Sequence, residues 1–141
     1  MKIAVIGLGL IGGSMALVLK QKGFASKVFG VDNQTAHTQK ALELGIVDEI
    51  TDLNTAVANS DLVILSAPVS ACTTLLPLVL NQVTQQVVLD TGSTKTSLLN
   101  AVKGHAKRGR YIATHPMWGT EFSGPEAATT DAFSGRANVI C

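Results

Sequence analysis

Charge is scarce in this chain. Only 15% of its 141 residues are Asp, Glu, Lys or Arg and the formal balance is +1, so nothing marks it electrostatically for nucleic acid or an anionic membrane. Lys103, Lys107, Arg108 and Arg110 form the one basic concentration, near the end of a predicted helix where cations suit the dipole. Cysteine is as sparse. Cys72 and Cys141 are too few and too far apart for a disulfide framework or a metal cluster, which points to a reducing cytoplasm and makes Cys72 a small buried hydrophobe. Low-complexity tracts, linkers and short repeats are absent. Residues 3 to 19 carry no charge, yet four glycines interrupt them, no small-residue cleavage site follows, and the run is shorter than the ~20 residues of a spanning helix.

What is present is alternation. The length suits one domain, residues 1–141, able to bury roughly two thirds of its unfolded surface. Short β-rich runs at Lys2 to Ile6, Lys27 to Val31, Asp61 to Ser66, Gln85 to Asp90, Arg110 to Thr114 and Ala137 to the end are separated by helical patterns at Ile11 to Lys22, Gln34 to Leu44, Ala71 to Leu80 and Thr94 to Lys107. Near-continuous apolar strands such as LVILSA and QVVLD belong to a parallel sheet buried on both faces. The expected class is therefore α/β, a doubly wound parallel sheet with right-handed crossovers and its ligands beyond the carboxyl ends of the strands. The sequence stops at Asn138-Val139-Ile140-Cys141, in or just after a strand, which suggests a piece of something longer.

The first of these units carries the clearest chemistry. Gly7, Gly9 and Gly12 fill G-x-G-x-x-G between a strand and a helix, and Asp32 follows 20 residues after Gly12 at the end of the next strand. The first glycine permits the tight turn, the second lets backbone approach a pyrophosphate, and the third lets helix and strand pack closely. Phosphates would sit at the helix N-terminus, where unpaired N–H groups and the dipole favour negative charge. Gly7, Gly9, Leu10, Ile11 and Gly12 are thus assigned to a dinucleotide, with Asp32 taking the adenosine ribose hydroxyls. Asn33 and Gln34 come next, with no adjacent arginine for a 2′-phosphate, so the cofactor expected is NAD.

Later strand ends add candidates on the same rim. Ser66, Ala67 and Pro68 follow one strand and are assigned to the cofactor, although Pro68 also suits a helix start. Asp90-Thr91-Gly92-Ser93-Thr94-Lys95 follows the next; Ser93 or Thr94 should cap a helix, leaving the other hydroxyl and Lys95 to face the crevice. His37 and His105 have ordinary surface explanations. His115 precedes a proline at a strand's carboxyl end, which biases it to extended backbone, and its imidazole can take a proton near pH 7.

Together, GLGLIGGS at 7–14, D-x-G-S-x-K at 90–95 and HPMWGTEFSG at 115–124 resemble the prephenate and arogenate dehydrogenase family of tyrosine biosynthesis. The last motif is the most specific. The likeness covers essentially the whole chain but only the nucleotide-binding, Rossmann-type half of such an enzyme; it implies a further helical half that makes a homodimer and completes the pocket. It implies His115 as catalytic base and Ser93 as active-site serine, with Glu121 on the loop lining the substrate entrance; Lys95, Trp118 and Gly119 are further candidates for that lining. Trp118 stands where the family often has alanine, adding bulk beside His115. The implied reaction moves hydride from ring carbon C4 of prephenate to nicotinamide as the ring carboxylate leaves as carbon dioxide. Both substrate carboxylates need cations, and no arginine here has an obvious claim to them. Two other functions share the features of this half: a β-hydroxyacid or imine dehydrogenase, which should use a lysine on a later helix, and a non-catalytic NAD-binding domain that needs only the glycine turn and Asp32.

Overall fold

A computed structural model describes all 141 residues, and its centre is the first strand. Strand β1 (Lys2–Ile6) pairs on one side with β2 (Lys27–Val31) and on the other with β4 (Leu62–Leu65); β3 (Glu49–Ile50) lies outside β2, while β5 (Val87–Asp90) and β6 (Tyr111–Ile112) extend the sheet beyond β4. The order β3-β2-β1-β4-β5-β6 is parallel throughout. The chain starts in the middle, winds outward to one edge and then crosses back to the other side. A crevice opens where the winding reverses, outside the carboxyl ends of β1 and β4. Register aligns those ends: Ile6 lies opposite Val31 and Leu65, and Leu65 opposite Asp90.

Burial on both faces explains the apolar runs. Ala4, Ile6, Val63, Leu65 and Val88 face one cluster, built with Leu76, Val79 and Leu80 of α4 (Val69–Gln82) and Leu98 of α5 (Thr96–Ala101). Ile3, Val5, Val28 and Ile64 face the other, with Ala16 of α1 (Leu10–Gln21) and Ala41 of α2 (Thr35–Glu43). Alternate residues of one strand thus feed opposite cores, the side-chain period of 2 applied to a sheet covered on both sides.

Several expectations need correction. The sequence reading contained neither β3 nor α3 (Leu53–Ala58), the latter capped by Asp52, whose carboxylate accepts from the Thr55 N–H. The helix expected over residues 94–107 is α5, which stops at Ala101. The basic cluster follows it, and Lys107 serves another helix: its Nζ donates to the carbonyls of Asn81 and Val83 at the end of α4. The run Arg110 to Thr114 is broken, the main sheet ending at Ile112. The chain then enters β7 (Thr114–Pro116), which pairs antiparallel with β8 (Asn138–Ile140) in a separate two-stranded sheet. No helix is long and apolar enough to cross a membrane.

Candidate active site

The turn between β1 and α1 requires its glycines. Gly7 has φ +97°, and a Cβ there would lie 2.5 Å from the Ala67 nitrogen; at Gly12 it would lie 2.1 Å from the Gly7 carbonyl oxygen. The first position needs the left-handed backbone and the third needs contact between helix and turn. Gly9 differs: nothing lies within 4 Å of its missing Cβ, and it opens onto the cleft as the N-cap of α1 with no side chain capping the helix. Room beside Gly9 and free N–H groups at the first turn of α1 suit a pyrophosphate.

The acidic end is prepared as well. Asp32 Oδ2 accepts from the Leu8 N–H at 2.7 Å and Oδ1 from the Gln34 N–H at 2.8 Å, holding the carboxylate at the mouth of the cleft. Four lone-pair positions minus two backbone donors leave outward acceptors for a ribose diol. His37, on the first turn of α2, turns toward the acid with Nδ1 3.4 Å from Oδ2, rather than lying on an unrelated surface. Its place five residues beyond Asp32, on the helix that rises from that strand end, was the available signal.

These groups line one cleft of about 720 Å³. Gly7, Gly9, Leu10, Asp32, Ser66, Ala67 and Pro68 line it, while Gly12 packs beneath the turn and Ile11 is not at its wall. Phe122, Ser123 and Gly124 also border it, a contribution the sequence reading missed. They belong to the loop after β7, whose far end crosses α1: the Thr129 N–H donates to Ser14 Oγ at 3.0 Å, and Ala128 sits against Gly13.

Ser93 and His115 lie beyond the cleft, after β5 and in β7, on the same carboxyl-end side of the sheet. Ser93 is exposed, His115 half-buried, and neither side chain is hydrogen-bonded within the chain. Neither Ser93 nor Thr94 is a cap, since α5 starts at Thr96 behind Lys95 with no side-chain cap. Lys95 departs further from expectation. Instead of facing the crevice it folds back, 11% exposed, to pair with fully buried Asp90. The same carboxylate accepts from the Tyr111 phenol at 2.8 Å, and burial together with that contact pushes the phenol far above its usual range, so Tyr111 remains a donor. Trp118 packs edge-on against Phe133 with ring centroids 5.1 Å apart, while Gly119 and Glu121 are exposed on the loop. Cys72 is buried near the Ala67 carbonyl, and burial pushes its thiol up, away from reactivity. No group of three or more His, Cys, Asp and Glu side chains could hold a metal.

A parallel sheet in this order, with a glycine turn at the switch point and a carboxylate at the next strand end, defines a dinucleotide-binding α/β domain. Comparison with known proteins narrows the class. The family described as "Prephenate dehydrogenase, nucleotide-binding domain" matches residues 15–141, and the chain belongs to that family. A cyclohexadienyl dehydrogenase of Zymomonas mobilis is 33% identical over 98% of this chain and 48% of its own, and a prephenate dehydrogenase of Bacillus subtilis 32% identical over 98% and 38%. A crystal structure of prephenate dehydrogenase from A. aeolicus in complex with hydroxyphenyl propionate and NAD⁺ superposes with a TM-score of 0.89 at 30% identity, covering 99% of this chain and 50% of that one. The chain spans half or less of the length of each of these relatives.

Proposed function

We propose that this chain is the cofactor-binding half of an NAD-dependent dehydrogenase that oxidatively decarboxylates prephenate, or its amino counterpart arogenate, with a helical half elsewhere completing the substrate pocket and a homodimer. The observation that carries the reading is the ordering along one rim. The Asp32 acid, the Gly7–Gly12 turn and the Ser66–Pro68 wall border the cleft, and Ser93 after β5 and His115 in β7 continue the rim past β5. The residues fit a dinucleotide: open space at Gly9 for the pyrophosphate, free acceptors on Asp32 for the ribose. That the A. aeolicus relative was solved with NAD⁺ supports the same cofactor here. When bound, NAD⁺ supplies the hydride acceptor.

The remaining work falls to this chain's own groups. His115 has an unengaged imidazole and acts as base toward the substrate's ring hydroxyl, drawing electron density onto the departing hydride; such assistance contributes about a hundredfold to ten-thousandfold. Ser93 orients that hydroxyl or the imidazole, a matter of position. Family membership together with the HPMWGTEFSG loop favours a cyclohexadienyl substrate over a generic hydroxyacid. Following NADH absorbance with the full-length enzyme on prephenate and arogenate, beside calorimetric titration of NAD⁺ into this chain, tests the reading. Saturable binding and turnover of one of the two acids is the expected result; absence of NAD⁺ binding, or turnover only of unrelated hydroxyacids or imines, overturns it.

A further inference from the structure

Main-sheet pairing ends too early to hold His115. The β5–β6 ladder comprises Val88 opposite Tyr111 and Leu89 opposite Ile112, after which the chain leaves for the two-stranded β7–β8 sheet, where His115 lies opposite Val139. Residues Asn138–Ile140 are exposed and give β7 no anchor in the core. What fixes His115 relative to the rim must therefore act through its own chain neighbours, Ala113, Thr114 and Pro116, which are buried.

Asp90 is placed to do so. It ends β5, is 0% exposed, and its carboxylate receives four donors divided between its two oxygens. Oδ1 takes the Tyr111 phenol at 2.8 Å and the Thr114 N–H at 3.2 Å; the Thr114 hydroxyl also donates to the Asp90 carbonyl. Oδ2 takes the Gly92 N–H at 2.8 Å and the Lys95 ammonium. One oxygen therefore grips the residue before His115 and the other the residue before Ser93. A buried carboxylate is suited to this because it only accepts, offers as many lone pairs as there are donors, and is neutralised by its lysine. Asparagine in its place would turn an NH₂ group toward either the Tyr111 side or the Gly92 and Lys95 side, donor against donor.

We propose that Asp90, with Tyr111 and Lys95 as its side-chain donors, is the positioning residue that sets His115 and Ser93 in their working geometry. This rests on the roles proposed above for those two residues. The Tyr111 arm acts on His115 and the Lys95 arm on Ser93, so the two can be weakened separately.

Tyr111→Phe preserves shape and removes one donor. With ¹⁵N-labelled histidine in this chain, it should shift or broaden the His115 ring signals while those of His37 and His105 stay in place as internal references. NAD⁺ affinity should change by less than about twofold, since no residue of the cleft is touched. In the full-length enzyme it should lower kcat by about tenfold or more, because misplacement by ~1 Å can cost about a hundredfold. The same substitution in a His115→Asn background should cost less than about twofold, as should Lys95→Gln in a Ser93→Ala background. Unchanged His115 ring signals overturn the proposal, as do equal losses in single and double variants, which mark a purely structural role. If His115→Asn alone leaves turnover intact, the proposed catalytic function fails, and the ring signals still decide whether the Asp90 carboxylate fixes His115.

Discussion

The Leu8 N–H donates to Asp32 Oδ2 at 2.7 Å, so the acid ending β2 buttresses the turn that follows β1. Asp32 thus shapes the glycine turn, and the ribose contact proposed for its remaining lone pairs is separable from that by substitution. Asparagine can still accept from Leu8 through its carbonyl oxygen; alanine cannot.

NAD⁺ should bind more tightly than NADP⁺. A 2′-phosphate would meet the Asp32 carboxylate, and two unit charges at about 4 Å repel by about 4 kcal/mol at an effective dielectric of about 20. Solvent at the open mouth reduces this to about 2 kcal/mol, still more than tenfold in affinity. Titrating both cofactors into the chain checks the order, and Asp32→Asn should narrow the gap while Asp32→Ala weakens both. Equal affinities for the unaltered chain would refute the assignment.

His115→Asn in the full-length enzyme should lower kcat by about a hundredfold or more and leave NAD⁺ affinity nearly unchanged, because the imidazole lies outside the cleft and asparagine cannot serve as a base. Steady-state kinetics with a parallel binding titration decide it; a loss below about fivefold makes the histidine structural.

Taken alone, the 141-residue chain should bind NAD⁺ yet turn over prephenate and arogenate at least about a thousandfold more slowly than the full-length enzyme. It carries the cleft but no evident arginine clamp for the substrate carboxylates. Ile112, Met117, Val139 and Ile140 are exposed around β7 and β8, so self-association at high concentration is expected alongside. An NADH absorbance assay and sedimentation measure the two effects. Turnover above about one per second from the chain itself would show that it is a complete enzyme.

Gly12→Ala should abolish NAD⁺ binding or unfold the chain. The added methyl would meet backbone, the Gly7 carbonyl oxygen at 2.1 Å, and not a side chain able to swing away. Gly9→Ala meets nothing within the protein and should fold normally, with its loss confined to cofactor affinity. Melting curves with and without NAD⁺ separate the two.

Acid should weaken the edge that joins α1 to β2. Burial by itself would raise the Asp48 carboxyl, but its bonds to Lys20 Nζ and the Val28 N–H, with the nearby Lys27 charge, hold it below the model-peptide value of 3.8. A folded value beneath the unfolded one means stability that is fully present above 3.8 and lost as pH falls through the lowered value. Asp48→Asn should therefore lower the melting temperature at neutral pH and flatten its decline below pH 4; an unchanged acid limb would be the contrary result.

The sequence displayed the sheet's centre well and its edges poorly. Ile3 to Ile6 and Val63 to Leu65 are buried on both faces and read as unbroken apolar runs, and the glycines at positions 7 and 12 are set by backbone contacts that no other residue permits. Strand β3 has two residues and α3 six, too short for any periodicity to register. The apolar stretch at Ala137 to Cys141 looked like another strand of the main sheet, yet its partner is β7, a matter of long-range pairing. At the site, the sequence leaves Lys95 free to face the crevice, because its counter-charge is a strand residue whose side-chain direction the motif does not disclose. Phe122 to Gly124 reached the cleft only through the distant anchorage of Thr129 and Ala128 on α1.

That anchorage carries a consequence for biosynthesis. Ser14 and Thr129 are joined across 115 positions of sequence, so that face of the first helix stays uncovered until residue 129 has left the ribosome. The glycine turn can form early, from β1, α1 and β2 alone, while the wall of the cleft made by Phe122, Ser123 and Gly124 follows only once that anchorage is made. A nascent chain arrested before residue 125 would therefore display the glycine turn without its roof, and completion of the cleft waits on the anchorage at residues 128 and 129.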